Sequence, residues 1–289
     1  MMVEVLVHFV APALVGVLIG IASGLLGIGG GTVMVPIFRL AFGMSATMST
    51  ATSLFAIIPT SISGAISHVK GKTCIPALGI AAGLGGACLS PVGVWLAQLS
   101  PDWLVMLAAA LIIGYSAINM FKKAFKIPRA GQPAEGADAA AATPSLTSSG
   151  EPAAAAPTAD DSSLSRKQLL QGAAIGLVAG LASGYVGVGG GFIMVPLMLS
   201  VVGIPMRKAS GTSLIAVMIL AIPGVIEQGI IGNINYLAGI AIVIGTIPGA
   251  VIGARLVTKV PERTLRLLFG CFLIVAAVML VLNEVGIFG

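Results

Sequence analysis

Two apolar stretches of this chain read GLLGIGGGTVMVP (residues 24–36) and GYVGVGGGFIMVP (residues 184–196). Each carries glycines where a membrane helix would carry side chains. In lipid, backbone without internal hydrogen bonds survives only where protein covers it or where it lines a wet cavity. Such a segment must therefore sit inside a larger helical assembly, and the break needs a reason. Paired Gly/Pro-broken segments at matching places in two halves of a chain are the sequence mark of a transporter's binding site. We read the two loops as walls of one substrate site.

The remainder of the chain agrees with a membrane setting. Of 289 residues, 57% are hydrophobic and 9% charged, where a soluble domain has roughly 25% charged residues. The mean hydropathy is +1.07. Apolar runs of about 20 residues, each long enough to span a bilayer, recur from end to end. They are continuous rather than alternating, which excludes a β-barrel. The expected fold is an all-α polytopic membrane protein with Gly-broken helices meeting near the midplane.

The chain also repeats itself. Adding 160 to a residue number carries the first half onto the second without a gap. Gly20-Ile-Ala-Ser-Gly24 becomes Gly180-Leu-Ala-Ser-Gly184, and Thr52-Ser53-Leu54 becomes Thr212-Ser213-Leu214. Gly85, Gly93 and Pro101 become Gly245, Gly253 and Pro261. The expected organisation is a first transmembrane repeat over 1–124, a linker over 125–166 and a second repeat over 167–289. The linker is Ala, Pro, Ser, Thr, Gly and acid, a composition that cannot bury enough surface to fold. Within the first repeat the expected spans are 3–22, a short helix from about Thr32, 49–67, 74–99, and one from Asp102 to Lys123. A short basic loop, His68-Val-Lys70-Gly-Lys72, is expected after the third. The fourth is Gly-rich, as helices that pack closely in lipid are.

Charge chooses the topology. With five crossings per repeat and the linker in the cytoplasm, all but Arg39 of the 15 Lys and Arg residues fall inside. With four crossings the split becomes about even, against the positive-inside rule. Five is odd, so the second repeat is inverted, with both termini outside. The net charge of +5 is then loop charge setting topology, and no nucleic-acid partner is implied. Inversion points the helices that start near Thr32 and Phe192 toward the midplane with their N-termini. Unpaired N–H groups and the positive dipole end make such a pair an anion site without Lys or Arg.

The residue types carry weaker signals. One Gly triplet alone is a packing notch; two related copies, each followed by a Pro and a hydroxyl-rich span, point to a site. The candidate substrate-binding residues are Ser23, Gly27, Gly29, Gly30, Gly31, Thr32, Thr52 and Ser53, with Ser183, Gly187, Gly189, Gly190, Gly191, Thr212 and Ser213. Hydroxyls such as those of Thr50, Thr52, Ser53, Ser210, Thr212 and Ser213 also commonly bond their own helix backbone, and both readings stand. Arg39 breaks the charge pattern: it either snorkels to the outer interface or captures anions at the outer mouth. Glu227 is either a proton-coupling group or an exposed, inert carboxylate. His8 and Glu4 read as interfacial, Trp95 and Trp103 as belt residues. Cys74, Cys88 and Cys271 have no CxxC spacing and read as small, buried packing residues. No metal site, cofactor or catalytic centre is expected, because the apolar segments hold no His/Cys/carboxylate clusters. There is no Gly-Lys-Ser/Thr nucleotide loop.

The doubled Gly-Gly-Gly-x-x-x-Val-Pro unit resembles the TauE/SafE family of sulfite exporters, across both halves and excluding the linker. The matching positions are Gly27, Gly29, Gly30, Gly31 and Pro36, and Gly187, Gly189, Gly190, Gly191 and Pro196. The resemblance implies a carrier in the bacterial inner membrane that exports sulfite or a related small organosulfur anion. Import of thiosulfate or another sulfur compound is the nearest alternative, and a non-transport membrane assembly subunit the alternative of another class. A homo-oligomer is compatible with the pattern. A membrane potential of about 100 mV, negative inside, favours outward movement of one negative charge by about 2.3 kcal/mol, so export needs no coupled ion.

Overall fold

The computed structural model describes residues 11–125 and 165–284. The linker residues 126–164 and the first ten residues, with His8 and Glu4, lie outside the described residues. The described residues form α1 (Ala11–Leu26), α2 (Gly31–Phe42), α3 (Ala46–Lys70), α4 (Pro76–Leu99) and α5 (Asp102–Phe125). The second half supplies α6 (Arg166–Val186), α7 (Gly191–Leu197), α8 (Met206–Ile231), α9 (Tyr236–Leu256) and α10 (Glu262–Glu284). A π-helical turn, Met198–Val202, prolongs α7. From α2 to α5 every helix start recurs at the repeat-equivalent position, at Gly191, Met206, Tyr236 and Glu262. Seven helices are long and apolar enough to cross a membrane, and α1, α2 and α7 are shorter apolar helices. The chain is an all-helical, multi-pass membrane protein.

Small residues let the backbones touch. A Cβ on Gly16 would lie 2.5 Å from the Ile242 carbonyl oxygen, and Gly20 and Gly24 meet Thr246 and Ala250 in the same way. Chain direction therefore rises together in α1 and α9. The repeat-related contact is the same: Gly176, Gly180 and Gly184 of α6 press on Ala82, Gly86 and Ser90 of α4. Small residues every fourth position permit this approach, and in lipid, where apolar burial drives nothing, close van der Waals packing is what holds helices together. α3 runs with α9, pairing Thr60 with Thr246 through hydroxyls 2.6 Å apart. α4 runs with α8, setting Gly79 against Ile215 and Gly83 against Ile219.

The two central helices cross in opposite senses. Leu54 of α3 reaches Gly224 of α8, while Leu214 of α8 reaches Gly64 of α3. Since α1 runs with α3 and α6 with α8, the repeat-equivalent helices α1 and α6 point in opposite directions. Ile57 and Val217, themselves repeat equivalents, meet at the crossing, where both contact Gly29 and Gly189.

Three expectations are corrected. His68 belongs to α3, not to a loop, and is fully buried; its ring finds partners there that solvent would otherwise supply. Cys88 and Cys271 are exposed and only Cys74 is buried. An apolar thiol is as well placed toward lipid as toward a neighbouring helix, so exposure costs it little. Phe125 and Arg166 are helical, so the helices reach into both ends of the stretch assigned to the linker. The Gly-rich α4 does pack closely, as its composition requires, and Trp95 and Trp103 are exposed.

Candidate substrate site

The two Gly loops leave α1 and α6 and turn back into α2 and α7. Gly30 and Gly190 cap the returning helices at φ 85° and 67°, a left-handed backbone that side-chain-bearing residues rarely adopt. From that geometry their carbonyls accept the first intrahelical bonds, from Met34 at 3.2 Å and Met194 at 3.0 Å. The loops abut each other at the centre of the bundle. A Cβ on Gly31 would lie 2.5 Å from the Val188 carbonyl oxygen, and one on Gly191 would lie 2.5 Å from that of Gly27. Every residue from 27 to 31 and from 187 to 191 is buried. The arrangement is thus closed to both sides, with Ile57 and Val217 over the glycines.

Each loop is held by the opposite repeat. Ser53 donates its hydroxyl hydrogen to the Gly187 carbonyl (2.8 Å), and Ser213 donates to that of Gly27 (2.7 Å). Ser213 also points at the Ser210 carbonyl in its own helix, 2.8 Å away. Thr52 accepts from the Asn235 amide (3.0 Å) and Thr212 from the Ile75 amide (2.9 Å), so these hydroxyls cap α9 and α4. The hydroxyls of Thr50 and Ser210 turn to their own helix, toward Thr47 and Arg207. Four of the candidate hydroxyls therefore serve as braces between the repeats.

Other polar groups at the loops have no partner among the described residues. The hydroxyls of Ser23, Thr32 and Ser183 are fully buried and make no hydrogen bond. Ser61, beside Gly29, is in the same condition. The amides of Ile28, Gly29, Gly30, Gly31 and Thr32, and those of Val188, Gly189, Gly190 and Phe192, make none either. Buried donors without partners each cost on the order of 1–3 kcal/mol. Their concentration at two helix N-termini gives the site its chemistry: many neutral donors, a positive dipole end from each repeat, and no fixed charge.

Some candidates lie elsewhere. Arg39 stands in the last turn of α2, eight residues along from Gly31, or about 12 Å at the helical rise. The structure does not bring it to the loops. Glu227 is half-buried rather than exposed, with one carboxylate oxygen lacking a partner, and sits four residues short of the end of α8. Asp102 accepts from the Ala46 amide (3.2 Å) and Thr47 (3.4 Å), capping α3, and Glu262 accepts from the Met206 amide (3.3 Å) to cap α8. Among the described residues, no three of His, Cys, Asp or Glu gather as metal ligands would.

Two polar pairs escaped the sequence reading. His68 places Nε2 2.7 Å from the Gly24 carbonyl and Nδ1 2.7 Å from the Thr73 hydroxyl. The carbonyl can only accept, so Nε2 carries a hydrogen. At the repeat-equivalent positions Asn233 donates to Gln228 (2.8 Å), and Gln228 is buried as well. The repeat register places polar on polar at both positions, which was the available signal.

No solved structure matches the chain. It is 26% identical over 289 residues to the "Probable membrane transporter protein YunE" of Bacillus subtilis, covering 97% of this chain and 99% of that protein. It is 26% identical to YdhB of the same organism, over 88% of this chain and 92% of that protein. A "Probable membrane transporter protein" of Haemophilus influenzae is 28% identical over 93% and 97% of the two chains. The family model "Sulfite exporter TauE/SafE" matches residues 12–280, which takes in both Gly loops and reaches from α1 into α10. A doubled, Gly-broken helical membrane protein so matched belongs to the TauE/SafE family and is a membrane transporter of that type.

Proposed function

We propose that the protein exports sulfite or a related small organosulfur anion across the bacterial inner membrane, and that the two Gly loops form its binding site. The observation that carries this reading is the set of unpartnered donors at the N-termini of α2 and α7, with the orphaned hydroxyls of Ser23, Ser183 and Thr32. Neutral donors in a low-dielectric setting suit a compact oxyanion, which accepts at several oxygens at once. A cation would find no carboxylate there. The opposite directions of α1 and α6 support two repeats inverted in the membrane, with the linker cytoplasmic and both termini outside. Transport then proceeds by alternating access. The Ser53 and Ser213 braces hold the closed form, and exchanging them for contacts to substrate on either side opens one mouth at a time. Outward movement is favoured by the inside-negative potential and is electrogenic.

Sulfite efflux from proteoliposomes, with and without an imposed inside-negative potential, tests this. Efflux that accelerates with the potential is the expected result. Folded protein that carries no sulfite, or efflux indifferent to the potential, overturns electrogenic sulfite export.

A further inference from the structure

Because repeat-equivalent helices run in opposite directions, repeat-equivalent residues lie at opposite ends of the bundle, its two mouths, and the two ends differ in charge. At the linker-side mouth a cavity of about 490 Å³ is lined by Lys72, Thr73, Pro205, Arg207, Lys208 and Glu262. Its repeat equivalents at the opposite mouth are Gly232, Asn233, Ser45, Thr47, Met48 and Asp102. The carboxylate alone is retained, and at the linker side Arg266 pairs with it. Three cations have thus been placed around one cavity, and the symmetry-related positions hold none. The positive-inside rule accounts for basic residues on that face. It does not account for three of them around one cavity, at the start of the helix that holds the Gly27 carbonyl.

The cavity lies at the N-terminal end of α8, the helix that braces the first Gly loop. Arg207 and Lys208 lie in the first turn of α8, and Ser213, six residues after Arg207, holds the Gly27 carbonyl. At the helical rise that is about 9 Å. Arg207 donates to the Val260 carbonyl (2.9 Å), which fixes its guanidinium at the cavity wall. Lys72 is held by a left-handed backbone, φ 54°, at the exposed rim.

We propose that this cavity is an anion-capture site, in which Lys72, Arg207 and Lys208 collect a small oxyanion from the linker side and present it to the Gly loops. The proposal rests on the reading of the substrate as an anion exported from the linker side and adds the residues that gather it. Clefts lined by one sign of charge raise the local concentration and on-rate of the opposite ion by about 10- to 1,000-fold, with strong dependence on salt.

The test reads local potential directly. Single-cysteine variants Pro205→Cys and Ser45→Cys, at the two equivalent mouths, are made in the full chain with Cys74, Cys88 and Cys271 changed to Ala. Each is labelled with an anionic methanethiosulfonate (sulfonatoethyl) and a cationic one (trimethylammonioethyl). The anionic-to-cationic rate ratio is expected to be at least about tenfold higher at position 205 than at 45 in low salt. It should fall to the value at 45 when Lys72, Arg207 and Lys208 are all changed to Gln. Lys72→Gln alone, at the exposed rim, should lower it about threefold without disturbing the fold. Sulfate should slow labelling at 205 more than chloride does at equal ionic strength. Equal ratios at the two mouths, a ratio that survives the triple change, or no effect of sulfate beyond that of chloride overturns the proposal. Flux separates it from the transport reading. If wild-type protein carries no sulfite while the labelling asymmetry and the sulfate effect persist, the capture site stands and sulfite export falls. If flux is present and the triple variant keeps its half-saturating concentration on the linker side, export stands and the capture site falls.

Discussion

Ser53→Ala asks what the central hydroxyls do. The Ser53 hydroxyl has one acceptor, the Gly187 carbonyl, and that carbonyl has no other donor among the described residues. Removing the hydroxyl leaves a buried carbonyl orphaned, which costs on the order of 1–3 kcal/mol in protein interiors. In membrane helices measured hydrogen bonds average about 0.6 and reach about 1.7 kcal/mol, because the unfolded chain also finds partners. A loop carbonyl cannot fall back on a helical donor, so the upper part of that range applies, about 1.5 kcal/mol. Ser213→Ala should cost less, about 1 kcal/mol, because its hydrogen is already shared between Gly27 and Ser210. Ser210→Ala is the control: its hydroxyl serves only its own helix, so the loss should stay below about 0.5 kcal/mol. Unfolding by SDS titration in mixed micelles measures all three, and about 1.4 kcal/mol appears as a tenfold change in the unfolding constant. If Ser53→Ala unfolds with the same midpoint as Ser210→Ala, the brace is not there. If stability is unchanged while half-saturation for sulfite rises tenfold, the hydroxyl is a substrate contact instead.

Other substitutions probe the remaining layers. Ser23→Ala and Ser183→Ala remove buried hydroxyls that bond nothing, so unfolding should be unaffected or slightly harder, while half-saturation for sulfite rises by about tenfold if each gives the substrate one hydrogen bond. Gly180→Leu would drive a side chain into the Gly86 backbone and should cost about 3 kcal/mol or prevent insertion, read as loss of folded protein after detergent extraction. His68→Gln should be tolerated, since Gln228 fills the equivalent position, whereas His68→Leu orphans the Gly24 carbonyl and should cost about 1–2 kcal/mol in the same SDS titration. Asp102→Ala removes the acceptor at the start of α3 and should lower stability by about 1 kcal/mol without changing the charge dependence of flux, which separates a helix cap from a coupling group.

Much of the architecture was legible because membrane folding leaves few choices. A run of apolar residues in lipid has to be a helix, and the shared repeat register fixes where each begins, as Met206 and Glu262 follow from Ala46 and Asp102. Single boundaries were less legible. The α3 helix runs on through His68 and Lys70 because His68 finds the Gly24 carbonyl and Thr73 in the fold, partners that its own neighbours in sequence did not announce. The lipid-facing Cys88 and Cys271 show the same limit: in a bilayer an apolar side chain has no preference to betray which face it occupies.

The hydroxyls show why a site is harder to read than a fold. Ser23, Thr50, Thr52 and Ser53 look alike in sequence, and each recurs as a hydroxyl in the second repeat, at Ser183, Ser210, Thr212 and Ser213. The structure sorts them by where the hydrogen goes: to their own helix from Thr50 and Ser210, to the opposite loop from Ser53 and Ser213, and nowhere from Ser23 and Ser183. Thr52 and Thr212 accept from the amides that open α9 and α4, and Thr212 also donates to the Lys208 carbonyl of its own helix. Only the contacts between the two halves of the chain distinguish a brace from a vacant donor, and sequence holds no record of them. The symmetry that makes the donors recur also makes the departures from it informative. Lys72, Arg207 and Lys208 stand where the other half of the chain has Gly232, Thr47 and Met48. The positive-inside rule puts basic residues on the linker face, and the proposed capture site gives a reason for gathering three of them around one cavity there.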